Sequence, residues 1–301
     1  MLTRSQLAVA QVVGAAVLFG TTGTAQALGP AGTTPLGVGA VRLLVGGTVL
    51  LCALPLVGGR PARAVALWRG PFGLAAGFCT ALFQLCFFAA VHRAGVAVGT
   101  LLTIGSGPVF AGLLALAALG ERPARSWLGA TGLCVVGLAL LSVGDAGRAS
   151  SGTAGPLLAL GAGLAYAAYT VAARRLILRG EASSTVMGSA FGLGGLLLVP
   201  VLVTQPLAWL ASASGASLAA YLGVLTTGVA YVLFGRGLAV LPAGPVTTLV
   251  LAEPLVATLL GVTALGERLP PSAVAGAALV AAGLVLQGVA ASRQPVAVPT
   301  G

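Results

Sequence analysis

Apolar stretches recur along the entire chain, near residues 6–28, 34–57, 71–91, 95–119, 127–144, 155–173, 183–203, 217–235, 243–265 and 272–290. A helix rises about 1.5 Å per residue, so roughly 20 such residues cross a hydrocarbon core about 30 Å thick. The pattern therefore predicts an all-α membrane protein of ten transmembrane helices. Connections are short; only Gly147–Ala154 and Thr204–Ser217 read as loops of any length, which leaves no room for a soluble domain.

Composition points to the same solvent. Hydrophobic residues make up 58% of 301 residues and charged residues 7%, with a mean hydropathy of +1.07. A water-soluble domain carries about 25% charged residues, so this chain cannot coat itself for water. The net charge of +10 comes from 15 Arg and no Lys. These Arg residues form no block or stripe, which argues against nucleic acid as a partner. They do sort by loop. Arg4, Arg60, Arg63, Arg69, Arg122, Arg125, Arg174, Arg175, Arg179, Arg236 and Arg293 fall on one side, against Arg93, Arg148 and Arg268 on the other. The positive-inside rule then predicts a cytoplasmic (inner) membrane location with both termini in the cytoplasm, and an odd number of spans would scramble the alternation. Trp68, Trp127 and Trp209 fall at expected interfacial positions. Arg4, the first apolar run and Ala25-Gln26-Ala27 resemble a signal peptide, but the run exceeds the usual 7–15 residues, so a retained first span is expected. The four cysteines all lie within apolar runs and show no CxxC spacing, so neither a disulfide nor a metal site is expected.

The chain also repeats itself. Pro108 to Arg122 matches Pro254 to Arg268 at a constant offset of 146, and Ala-Leu-Gly-Glu-Arg is identical in the two copies. At nearly the same offset Gly14–Leu28 lies on Gly161–Arg175, and Gly77–Phe88 on Gly223–Phe234. Residues 1–146 and 155–292 thus read as two repeats. Five spans per repeat is an odd number, so the second enters the membrane from the opposite face. Inverted repeats give a chain two nearly equivalent packings, open to one side or the other, which is the basis of alternating access.

On these residues the chain resembles the EamA-type members of the drug/metabolite transporter superfamily. The stretches that carry the resemblance are Pro108…Gly120-Glu121-Arg122, Glu253-Pro254…Gly266-Glu267-Arg268, Arg42 in the second span, and Tyr231 through Gly244. The resemblance implies a ten-helix carrier of amino acids, sugars, nucleotide precursors or other metabolites, often an exporter. One departure stands out: Gly107 precedes Pro108 where Glu253 precedes Pro254.

Glu253 and Arg42 read as the only clearly intramembrane charges. Placing such a group mid-helix costs roughly 2.5–3.5 kcal/mol on insertion scales, so it usually faces a cavity or a partner. Counted along their spans, the two differ in depth by only a few ångströms, about 1.5 Å per residue, and they pair if helices two and nine are neighbours. Pro254 cannot donate to Val250, nor Pro108 to Ile104, so both fourth spans are expected to loosen near the midplane. Gln84 with Thr80, Tyr166 with Tyr169 and Thr170, and Tyr231 with Thr227 fall at helical spacing on candidate cavity faces. Alone, each such group is more often an interhelical hydrogen bond. Low aromatic content, 5%, argues against a large aromatic cage. The expected activity is secondary transport, most simply export, of a small molecule such as an amino acid, with Glu253 taking a proton or a substrate amine. The expected partners are the substrate and the lipid bilayer, with a proton as candidate coupling ion. No cofactor is expected. An intramembrane enzyme lacks its motifs here, since HExxH, GxSxG and Walker loops are missing. The alternative reading is a non-transporting membrane scaffold or accessory subunit, whose loops should offer a docking surface, yet here they are mostly short.

Overall fold

A computed structural model describes residues 2–142, 152–266 and 268–292. Every regular element among them is helical. In chain order these are α1 (Arg4–Ala27), α2 (Pro35–Ala53), α3 (Pro61–Ala66), α4 (Pro71–Ala94), α5 (Val96–Leu119), α6 (Arg125–Leu141) and α7 (Ala154–Leu178). There follow α8 (Ser183–Leu197), α9 (Val199–Leu202), α10 (Ala213–Ala220), α11 (Ala230–Val240), α12 (Ala243–Leu249), α13 (Ala252–Leu265) and α14 (Pro271–Ser292). A π-helical stretch, Tyr221–Val229, joins α10 to α11.

Local chemistry sets the ends. Thr3 and Gln6 form a capping box on α1, and Thr34 caps α2 ahead of Pro35. Gly95, with φ 84° and ψ 161°, both ends α4 and begins α5, a backbone shape that a side chain resists. Gly120 closes α5 in the left-handed region, φ 71°. The N–H of Glu121 then reaches back 3.2 Å to the carbonyl of Ala115, which satisfies a carbonyl of the last helical turns. Leu119-Gly120-Glu121 is thus a helix stop that aims Glu121. Gly266 repeats the left-handed stop; Glu267, like Asp145, Arg148 and Arg293, lies outside the described residues.

Nine helices among the described residues are long and apolar enough to span a membrane. The stretch expected at 183–203 is instead α8, a break at Leu198, and the single turn α9. Pro200 supplies no N–H there, so the ladder cannot continue unbroken. Large apolar side chains cover the outside, among them Phe78, Leu113, Leu259 and Val285. In lipid that surface carries no penalty, because acyl chains are as apolar as Leu.

Inside, α4 packs on α7 and α8, α5 on α7, α2 on α8 and the π-helix, α1 on α11 and α13, and α6 on α14. Close approach depends on small residues: a Cβ on Gly137 would lie 2.6 Å from the Gly276 carbonyl oxygen, and one on Gly276 2.5 Å from that of Gly137. The tryptophans are held by the protein. Trp209 is buried beside Val38, Val41 and Leu222; Trp127 is buried with its indole N–H on Thr248, 3.0 Å; Trp68 donates to the Ser189 carbonyl, 3.0 Å.

Candidate functional site

Arg42 stands on α2, where Gly39, one turn earlier, leaves room for α4 to approach. Its Nη2 donates to Oε1 of Gln84 at 3.4 Å, and Nε2 of Gln84 donates to the Gly39 carbonyl at 3.2 Å. A narrow cleft opens beside this link, with room for about one water molecule. Its polar lining is Arg42, Thr80, Gln84, Tyr169, Thr227 and Tyr231; Leu43, Phe83 and Phe191 complete the wall. Five helices and the π-helix contribute. Thr80 and Thr227 turn their hydroxyls into their own helices, onto Ala76 and Leu222.

Glu253 lies in the first turn of α13, half-buried and outside the cavity wall. It is within electrostatic range of Arg42, Tyr166 and Tyr231. Among the described residues, ion pairs join Arg63 to Glu181 and Arg174 to Glu121, and Arg42 and Glu253 form none with each other. Helix packing accounts for this: α2 rests on α8 and the π-helix, while α13 rests on α1 and α14. A Cβ on Gly20 of α1 would lie 2.7 Å from the Glu253 carbonyl oxygen, so glycine is what allows α1 so close.

The two prolines differ in effect. Before Pro254 the chain breaks, with Val250 and Leu251 in a turn between α12 and α13. The Val250 carbonyl is not left open, because the Glu253 N–H takes it at 2.9 Å. Around Pro108, α5 runs unbroken, so the interruption expected in both halves is present in one. Gly107 faces the ring of Tyr166, which a Cβ would meet at 2.9 Å. Thr170, also a candidate, is buried and donates to the Tyr166 carbonyl, 2.8 Å, within α7.

Two features escaped sequence reasoning. Although aromatics are few, nine rings form one connected network: Phe19, Phe83, Phe87, Phe88, Tyr166, Tyr169, Phe191, Tyr231 and Phe234. Phe191 and Tyr231 sit with centroids 3.8 Å apart. A composition cannot report that its rings come from five different helices. Arg174, assigned to a loop by its sequence, is the second. It belongs to α7 and is only 3% exposed. Its Nε donates to Glu121 at 2.9 Å and its Nη1 to the Leu238 carbonyl at 2.6 Å. The second oxygen of Glu121 accepts the Ala243 N–H, 3.0 Å, at the start of α12. The stripe Tyr166, Thr170, Arg174 at i, i+4, i+8 was the available signal that Arg174 shares a buried face.

Apolar helices around a narrow cleft with several polar lining residues define a multi-pass membrane protein. Comparison with known proteins then places it. The model of the EamA-like transporter family matches twice, over residues 6–143 and 153–288. The "Uncharacterized transporter YwfM" of Bacillus subtilis is 40% identical over 283 residues, 94% of each chain. The "Probable terminal-alkyne amino-acid exporter" of Streptantibioticus cattleyicolor is 31% identical over 192 residues, 62% of each. A solved protein crystal structure superposes with a TM-score of 0.80 over 95% of this chain and 98% of its own, at 21% identity, which speaks to the fold alone. The chain belongs to the EamA-like transporter family, and so to the drug/metabolite transporter superfamily: it is a membrane transporter of small molecules and not an enzyme.

Proposed function

We propose that the protein is a secondary transporter that exports amino acids or similar small metabolites across the cytoplasmic membrane by alternating access, with both termini in the cytoplasm. The observation that carries this is one acid and one base, Glu253 and Arg42, within electrostatic range yet unpaired, beside a helix break and a buried aromatic-walled cavity. A fixed ion pair would be a strut; an unpaired acid and base are free to take up a substrate or a proton. A relative's name, an amino-acid exporter, agrees in substrate class.

The mechanism draws on ten helices in two inverted repeats, residues 1–146 and 155–292, with α8 and α9 together forming the seventh span. Helix pairing supports this. Under exchange of halves, α6 with α14 and α2 with α8 map onto themselves, α4 with α7 maps onto α11 with α1, and α5 with α7 onto α13 with α1. Cys134 Sγ lies 3.7 Å from the Val280 carbonyl oxygen, and the two residues are one repeat offset, 146, apart. Equivalent residues touch where a two-fold axis passes. The one-sided distribution of Arg supports the orientation. Protein reconstituted in liposomes is expected to move one or more amino acids, and Glu253→Gln to lower that flux at least about 100-fold, in keeping with loss of a group essential to the cycle. Full flux in Glu253→Gln would remove Glu253 from the mechanism, and a flux driven by an imposed pH gradient would identify the proton as coupling ion.

A further inference from the structure

Three polar atoms in this region are buried and lack a well-formed hydrogen bond in the protein: Nε of Arg42 and the hydroxyls of Tyr166 and Tyr169, the last lying near the hydroxyls of Tyr231 and Thr170. Arg42 and Tyr169 line the same cavity, and Tyr169 is 1% exposed. Buried polar groups in folded proteins are nearly always paired, so orphaned ones beside one cavity indicate where a ligand's complementary atoms sit. A guanidinium has donors and no acceptor, whereas a phenol can donate or accept, so the charge of Arg42 decides what fits. The matching ligand group is rich in acceptors and negatively charged, which describes a carboxylate; an ammonium would meet only repulsion at Arg42.

Gln84 is not part of that open set, because both ends of its amide are occupied. Oε1 accepts from Arg42 and Nε2 donates to Gly39. Turning the amide over would set donor against donor at Arg42 and acceptor against acceptor at Gly39, so one orientation is dictated. Gly39 and Arg42 are three residues apart on α2, and the amide therefore holds the guanidinium to its own helix while Nε keeps no partner. A Cβ on Gly39 would come 3.1 Å from that Nε2 and collide with the Phe88 ring, which accounts for the glycine.

Resting on the transport function proposed above, we propose that the cavity receives the carboxylate of the substrate on Arg42 and the Tyr169 hydroxyl. In that receptor Gln84 is the positioning residue for Arg42, and the rings of Phe191 and Tyr231 take an apolar remainder. The substrate class is a carboxylic acid with an apolar side chain.

The test uses the purified full chain and a fixed panel: the twenty proteinogenic amino acids, each beside its α-amide and its decarboxylated amine. Binding is read as a rise in Tm, since only a ligand of the native state raises it. Acids with apolar side chains should stabilise, and their amides and amines should not. Gln84→Glu, which sets a competing carboxylate on Arg42 in nearly the same shape, should raise KM about 10-fold with a smaller change in Vmax, and Tyr169→Phe should weaken binding by about 10-fold. A purely structural role for Gln84 would lower the amount of folded protein and leave KM alone. The wild-type panel needs no variant and decides by itself if Gln84→Glu fails to fold. An amide or amine that stabilises as well as its acid, a panel in which no acid stabilises, or an unchanged KM in folded Gln84→Glu would each overturn the proposal. Flux of whatever compound did bind would then leave transport standing and only the carboxylate receptor lost, whereas binding without flux of any bound compound would remove the transport function itself.

Discussion

Charge is so scarce in this chain that each buried ionised group must be accounted for singly. Arg174 and Glu121 form a buried pair whose remaining valences are met by the Leu238 carbonyl and the Ala243 N–H. Such a pair adds little over an apolar contact, but removing one partner strands the other and costs about 3–5 kcal/mol. Glu121→Ala should therefore lower the melting temperature sharply. Arg63→Ala removes one side of an exposed pair with Glu181 and should leave melting almost unchanged. Equal effects of the two substitutions in thermal denaturation would show that burial does not govern these ion pairs. Arg42 and Glu253 belong to a different class, since among the described residues neither forms an ion pair.

Element behaviour depends on where backbones meet without side chains between them. Across α6 and α14, Gly137 and Gly276 each exclude a Cβ by contact with the other's carbonyl. Gly276→Val would drive these helices apart, at an expected cost of about 1–3 kcal/mol, seen as reduced thermal stability and loss of folded protein in detergent. The same substitution at Gly132, where a Cβ would meet nothing within 4 Å, is the control and should be tolerated. Departures from regular helix gather in the second half: the π-helical Tyr221–Val229, the break at Leu198, and the turn before Pro254. Extra or interrupted turns weaken local ladders and mark where elements bend most readily.

For the whole molecule, the two ends of the bundle are tied by different chemistry. At one end Arg63 meets Glu181, Arg174 meets Glu121, and Arg179 lies over the ring of Phe72, 4.6 Å from its centroid. At the other, Thr34 donates to Gln205 at 2.7 Å and Tyr221 to Thr21 at 2.8 Å. Alternating access requires each end to part in turn. In a background lacking the four native cysteines, a bridge between Thr34→Cys and Gln205→Cys, or between Arg63→Cys and Glu181→Cys, should each stop flux in liposomes until reduced. Flux that continues through both bridged forms would contradict alternation. Reporter fusions after residue 292 should report a cytoplasmic C-terminus.

Taken alone, the sequence determined the solvent, the helical class, the family and the doubling of the chain, because each of these is written locally. An apolar run of about 20 residues has little choice in lipid but to form a helix, and a Leu-Gly-Glu stop ends a helix wherever it occurs. It also picked out Arg42, Gln84, Tyr169 and Tyr231, which the fold brings to one cavity. Only the tertiary structure decided that nine rings from distant segments form one network, that Arg174 is buried on Glu121, that Pro108 leaves α5 intact, and that Arg42 faces Gln84 instead of joining Glu253. Those outcomes depend on each helix's rotation and choice of neighbour. Small-residue contacts hundreds of positions apart in the chain, such as Gly20 against α13, set both, and no local pattern records them.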